Sequence, residues 1–157
     1  MQIPTGFSWV NIRGSADENT PNPAGGIVHL FTAGATLLVG DAVFLSAANT
    51  VNKSTTAASY VSFVGFVVGG DSNGDRVDDA VGVTAATVGQ SVMVQISGIA
   101  RAIAGAAITA GTSTNVVPSA AVAGRVIAGT TADQRLGIPT NTQATAAGEV
   151  RVLITQF

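Results

Sequence analysis

The stretch "DSNGDRVDD", residues 71–79, is the densest collection of groups in this chain that could do chemistry. Asp71, Asn73 and Asp75 alternate, and Asp78 and Asp79 follow. Carboxylate and amide oxygens at such spacing are the hard ligands that Ca²⁺ accepts. The spacing departs from a helix-loop-helix calcium loop, because Gly74 stands fourth rather than sixth and no Glu stands twelfth. Asn-Gly flanked by Asp also makes a solvated hairpin tip. The spacing favours this turn, with Asp71, Asn73, Asp75 and Asp79 as the calcium candidate.

Nucleophilic chemistry finds little support. A Ser–His–Asp arrangement would have to use His29, the single histidine, which lies among Ile27, Val28, Leu30 and Phe31 and reads as a strand residue facing solvent or a subunit contact. There is no G-x-S-x-G elbow, no Walker lysine and no G-x-G-x-x-G opening a helix. Asp17, Glu18, Asp41 and Asp133 fall in no pattern that pairs two carboxylates, and aromatic residues for stacking a sugar make up only 5%. Cysteine is absent, which removes thiolate metal sites and disulfide staples. The chain reads as a non-enzyme without a cofactor. Arg13, Arg76, Arg101, Arg125, Arg135 and Arg151 outnumber the single Lys53, and arginine is the cation enriched at protein interfaces.

Composition narrows the classes further. The 157 residues suit one domain, or one domain with an arm, and only 10% are charged, with a net charge of −2. The basic residues are scattered singly, so no stripe exists to neutralise phosphates and no nucleic-acid partner is expected. Residues 102–124 are uncharged but contain "TAGTSTNVVPS", whose hydroxyls, Asn115 and Pro118 suit hydrocarbon poorly. No membrane partner is expected. The opening "MQIPTGFSWVNIRG" lacks the basic and apolar regions of a signal peptide.

The elements that must carry these residues are strands. Val92, Val94 and Ile96 alternate with Met93, Gln95 and Ser97, and Val150, Val152 and Ile154 alternate with Arg151, Leu153 and Thr155. That period of two marks a half-buried strand. "SFVGFVVGG" reads as a fully buried strand. The windows 36–100 and 101–157 share this order of turn, strand, glycine-containing apolar segment and final strand, which predicts an all-β barrel or sandwich of two related halves. "GIARAIAGAAITAGT", residues 98–112, then falls at the hinge between halves as a short strand and turn. An Ala-rich helix is the alternative there, weakened by Gly98, Gly105 and Gly111. Residues 1–35 read as an extended N-terminal arm, whose Phe7, Trp9, Val10 and Ile12 pack on the parent domain or anchor an interface with a neighbour.

"GDAVFLSAANTVNKS", "VGFVVGG", "ATVGQSVMVQISGIARA", "ITAGTSTNVVPS" and "LGIPTNTQATAAGEVRVLIT" together resemble the capsid cement, or head decoration, proteins of tailed bacteriophages. The resemblance spans roughly residues 36–157, and "DSNGDRVDD" stands outside it. It implies a structural protein on the outer surface of the virion, commonly a homotrimer, that binds the major capsid protein and bridges neighbouring capsid subunits. The competing class is a β adhesin or fibre-type surface protein that binds a glycan or receptor.

Overall fold

A computed structural model describes residues 26–54, 62–113, 115–129 and 135–155. The protein is all-β. Its strands are β1 (Val28–Ala33), β2 (Leu37–Leu38), β3 (Ala42–Ala47), β4 (Thr50–Lys53), β5 (Phe63–Gly70), β6 (Thr84–Ala86), β7 (Ser91–Gln95), β8 (Ile99–Ile103), β9 (Asn115–Pro118), β10 (Val126–Gly129), β11 (Gly137–Pro139) and β12 (Glu149–Ile154). A short 3₁₀ turn stands at Asp71–Asn73. β-Branched residues dominate the strand interiors, as half-buried pleated surfaces require.

The first half closes into a five-stranded barrel in the order β1-β4-β3-β5-β7, with β2 and β6 as a small ribbon beside it. β1 runs antiparallel to β7 and parallel to β4, so it is the strand that closes the barrel. The alternation read from "SVMVQI" holds: Val92 and Val94 are buried in the barrel core with Val43, Val51, Val67 and Leu37. Met93 points outward, where Val68 and Val77 cover it. The expected arm boundary after residue 35 is therefore corrected. Val28–Ala33 is a barrel strand, tied on both sides, and Phe31 packs against the core.

The second half repeats this topology strand for strand. Its five-stranded sheet runs β10-β9-β11-β12-β8, and a parallel bridge from Ala104 to Val126 brings its ends together. The counterpart in the first half is the parallel pair Ala33–Val51. Registers agree in detail. Phe31–Val92 and Leu30–Met93 correspond to Ala102–Val150 and Arg101–Arg151. Val43–Gly65 corresponds to Val116–Gly137, and Val67–Val94 to Pro139–Val152. Backbone bonds repeat as well: Ala33 N–H donates to Gln90 O at 2.9 Å, and Ala104 N–H to Gly148 O at 2.9 Å.

Residues 98–112 thus have a definite place. Ile99–Ile103 forms β8, the counterpart of β1, and the helix alternative is set aside. Its inward residues Ala100 and Ala102 stand where the first half has His29 and Phe31. The reason lies across the interface. Phe66, on the outer face of the first barrel, is fully buried in one cluster with Ala100, Ala102, Ala104, Val150 and Val152. Phe63 meets it edge-on, with ring centroids 5.3 Å apart. Small side chains in β8 leave the volume that this aromatic from the other half occupies, as close-packed interiors demand.

One consequence of the repeat is local. Ala147 N–H donates to Ala104 O, as Gly89 N–H donates to Ala33 O, so the two turns are equivalent. Gly89 has φ +85° and Ala147 has φ +65°, a left-handed conformation that a Cβ penalises. Ala147→Gly should stabilise the protein by about 0.5–1 kcal/mol after the glycine's larger unfolded-state entropy is subtracted. Gly89→Ala, with open space at its Cβ, should destabilise it by about 1 kcal/mol. Paired urea midpoints check both signs.

Candidate assembly surfaces

The candidate calcium residues are held as a knitted turn. Asn73 Oδ1 accepts from Gly70 N–H at 2.9 Å, and its amide donates to Arg76 O at 2.7 Å and to Asp79 Oδ2 at 3.0 Å. Asp71 Oδ2 accepts from Ser91 N–H at 2.8 Å, which ties the turn to β7. Gly74 and Asp75 both take positive φ at the tip. Asn73 and Asp79 come together, while Asp71 is directed toward the start of β7. Among the described residues, no group of three or more His, Asp or Glu gathers in metal-binding geometry. Residues 71–83 have no counterpart between β11 and β12, and Val77 from this insertion covers Met93.

The second half handles the same surface differently. Where the first half pairs Leu30 with Met93, it pairs Arg101 with Arg151, two cations directly opposite each other. Glu149 lies between them, accepting from Arg101 Nε at 2.8 Å and from Arg151 Nε at 3.5 Å. Arg101 is nearly buried and Arg151 is half exposed. The carboxylate thus offsets like-charge repulsion that a bare Arg–Arg pair would suffer.

Asp41 marks the join between halves. It is 1% exposed. Its Oδ2 accepts from Leu38 N–H at 2.8 Å and lies 3.2 Å from Lys53 Nζ. The turn at Gly124 in the second half lies against this carboxylate. Next to it, Ala42 N–H donates to Gly124 O and Gly124 N–H donates to Ser54 O, both at 2.7 Å. Burial raises the Asp41 pKa above its ordinary 3.8, outweighing the opposing pull of Leu38 N–H and Lys53. Between the ordinary and the raised value, the folded state holds a proton that the unfolded chain has released, so Asp41 loses stability as pH rises through that window. Asp41→Asn should therefore gain stability relative to the native protein as pH rises from about 3.8. Parallel urea titrations at stepped pH read this difference, and a constant gap across the window would refute it.

His29 is exposed on β1, opposite Val94, as a solvent-facing strand histidine should be. Phe7, Trp9, Val10 and Ile12 lie outside the described residues. The large apolar side chains that the fold leaves exposed include Ile27 and Leu30 at β1, Leu45 on β3, Val88 and Val122 in turns, and Leu153 on β12. The alternation in the sequence sets Leu153 on the face opposite Val152 and Ile154, without singling it out. The equivalent position in the first half is Gln95, which is buried.

No protein-family model and no curated protein matches the chain. Among solved structures, the fold is similar to that of the head fiber gp8.5 N base in bacteriophage phi29, with a TM-score of 0.52 and 13% sequence identity. The match covers 82% of this chain and 93% of that one. At this identity the likeness is one of fold, and it takes in both barrel-like halves.

Proposed function

We propose that this chain is a structural protein of a phage virion that binds the outside of the head and bridges neighbouring major capsid subunits. The observation that carries the reading is the likeness of nearly the whole described fold to the base of a phage head fiber. The sequence pattern supports it from another direction, since the resemblance to head decoration proteins was carried by strands that the repeat now organises. Low charge, arginine in preference to lysine, and exposed apolar residues on outer strands suit a chain whose work is contact. We infer a homotrimer, in which three copies engage a symmetric junction and gain avidity from weak single contacts. In this reading the chain is not an enzyme and holds no cofactor.

The test is co-sedimentation of the purified protein with head shells assembled from the major capsid protein of the same phage. Saturable binding at a fixed number of copies per shell is the expected result. No binding to shells, together with specific signals on a glycan array, would replace this reading by the fibre-type adhesin.

A further inference from the structure

The outer face of the first barrel is covered from within the chain along one row. Ala42 is opposite Phe66, Phe66 opposite Gln95, and Gln95 opposite Val28. Ala42 and Phe66 are fully buried in the cluster shared with the second half. Gln95 is 1% exposed, its amide donates to Ser97 O at 2.9 Å and Ile99 O at 3.1 Å, and Gly26 lies against it. Val28 packs on the cluster of Val68, Val77 and Met93. The row at the same register of the second half is Ile138–Leu153–Ile99. Leu153 is 39% exposed, and Ile138 and Ile99 are half-buried, so this row lacks an equivalent cover among the described residues.

Two features bear on what covers it. The first is the place from which the N-terminal segment departs. Ile27 N–H donates to Ser97 Oγ at 3.0 Å, Ile96 N–H donates to Ile27 O at 2.8 Å, and Gly26 abuts Ser97 O. Ser97 stands just before Ile99, the near end of the row. Residues 7–12, "FSWVNI", carry Phe7, Trp9, Val10 and Ile12 and no charge, and residues 13–25, "RGSADENTPNPAG", form a polar connector. Thirteen such residues reach at most about 45 Å, whereas a row across three strands spans only about 10 Å. In an extended chain Phe7 and Trp9 share a face, about 7 Å apart. The second feature is charge. On the outward side of β12, Leu153 stands between Arg151, half exposed, and Thr155, which accepts from Arg135 Nε at 3.1 Å. The connector supplies Asp17 and Glu18 against its single Arg13, and a guanidinium is a favourable neighbour for the face of a tryptophan.

We propose that residues 7–12 of the same chain lie across the Ile138–Leu153–Ile99 row, with Phe7 and Trp9 against Leu153 and the acidic connector beside Arg151 and Arg135. The second sheet is then covered from within the chain, as the first barrel is. The contact needs little affinity of its own, because a short connector holds the segment at an effective concentration on the order of millimolar. This cover belongs to the free chain, whether or not the chain goes on to bind a head shell.

Trp9 is the single tryptophan and cysteine is absent, so fluorescence reads this segment alone and one introduced thiol labels one site. In the native full chain, Trp9 emission should lie to the blue of its emission in urea and resist acrylamide quenching, equally at every protein concentration. Leu153→Glu should shift both readings to the values of the unfolded chain while circular dichroism stays native. Leu45→Glu, at an exposed leucine of β3, should leave them unchanged. Arg151→Cys carrying a nitroxide should quench Trp9, and Leu45→Cys with the same label should not, a pair that reads the contact with Leu153 intact. Trp9 as exposed in the native protein as in urea, protection that survives Leu153→Glu, or no quenching from the labelled Arg151→Cys would overturn the proposal. Protection lost on dilution would overturn it as well, by giving the segment to a second copy.

Discussion

Phe66→Ala is expected to lower stability by about 3–5 kcal/mol, the range for emptying a buried aromatic site. The loss should also change how the protein unfolds. Phe66 is carried by the first barrel, yet it belongs to the cluster formed by the interior of the second sheet. Its removal leaves Ala100, Ala102 and Ala104 facing a void that none of them can reach across. The native protein should melt in one calorimetric transition, and Phe66→Ala in two, the second half unfolding first. Ala102 is the counterpart of Phe31, so Phe66→Ala with Ala102→Phe restores an aromatic from within the second half. That double variant should recover part of the loss, whereas Ala102→Phe alone overpacks the site and costs about 1–3 kcal/mol. A single transition in Phe66→Ala, shifted by under about 1 kcal/mol, would show that Phe66 does not couple the halves.

The same substitution explains why half of the repeat was hard to read. The final strands were legible because Val92, Val94 and Ile96 in one copy and Val150, Val152 and Ile154 in the other serve the same inward face. The opening strands were not. "VHLFTAG" and "IARAIAG" share little beyond their last Ala-Gly, because one fills its own barrel with Phe31 and the other makes room for Phe66. Volume is conserved across the interface, not along the chain, and a single sequence does not display that bookkeeping. From sequence, β1 therefore falls in the arm, and β8 at a hinge.

Turns misled in a related way. In sequence, Gly89 and Gly148 are the glycines that precede the two final strands. The hydrogen bonds match Gly89 with Ala147 instead, one residue earlier. A glycine is visible in sequence, whereas an alanine held at φ +65° is not. The acidic stretch 71–79 shows the opposite case: its composition suggested a ligand set, while its first visible role is to close a turn through Asn73 and fasten it to β7 through Asp71. The apolar row of the second sheet was partly legible, since Leu153 stands at an outward position of its strand. What made it a candidate docking face was the register that places Leu153 opposite Ile138 and Ile99.

Gly124→Ala should cost about 3 kcal/mol or more. Two costs combine. Gly124 has φ +83°, which penalises any Cβ by about 1–2 kcal/mol. The added Cβ would also fall inside contact distance of the buried Asp41 carboxylate. Relief by moving the backbone is blocked on both sides, because Gly124 donates to Ser54 O and accepts from Ala42 N–H at 2.7 Å each. Relief by moving Asp41 breaks its bond from Leu38 N–H and its pair with Lys53, and a buried charge that loses partners costs on the order of 1–3 kcal/mol. Gly111→Ala is the control, with φ +85° but open space at its Cβ. It should cost the backbone part alone, about 1–2 kcal/mol. The difference between the two urea-derived losses measures how tightly the second half is seated on Asp41. Equal losses would mean that the join yields at this turn. A larger loss at Gly124 would place a rigid contact there, so that the two sheets hold a fixed relative orientation.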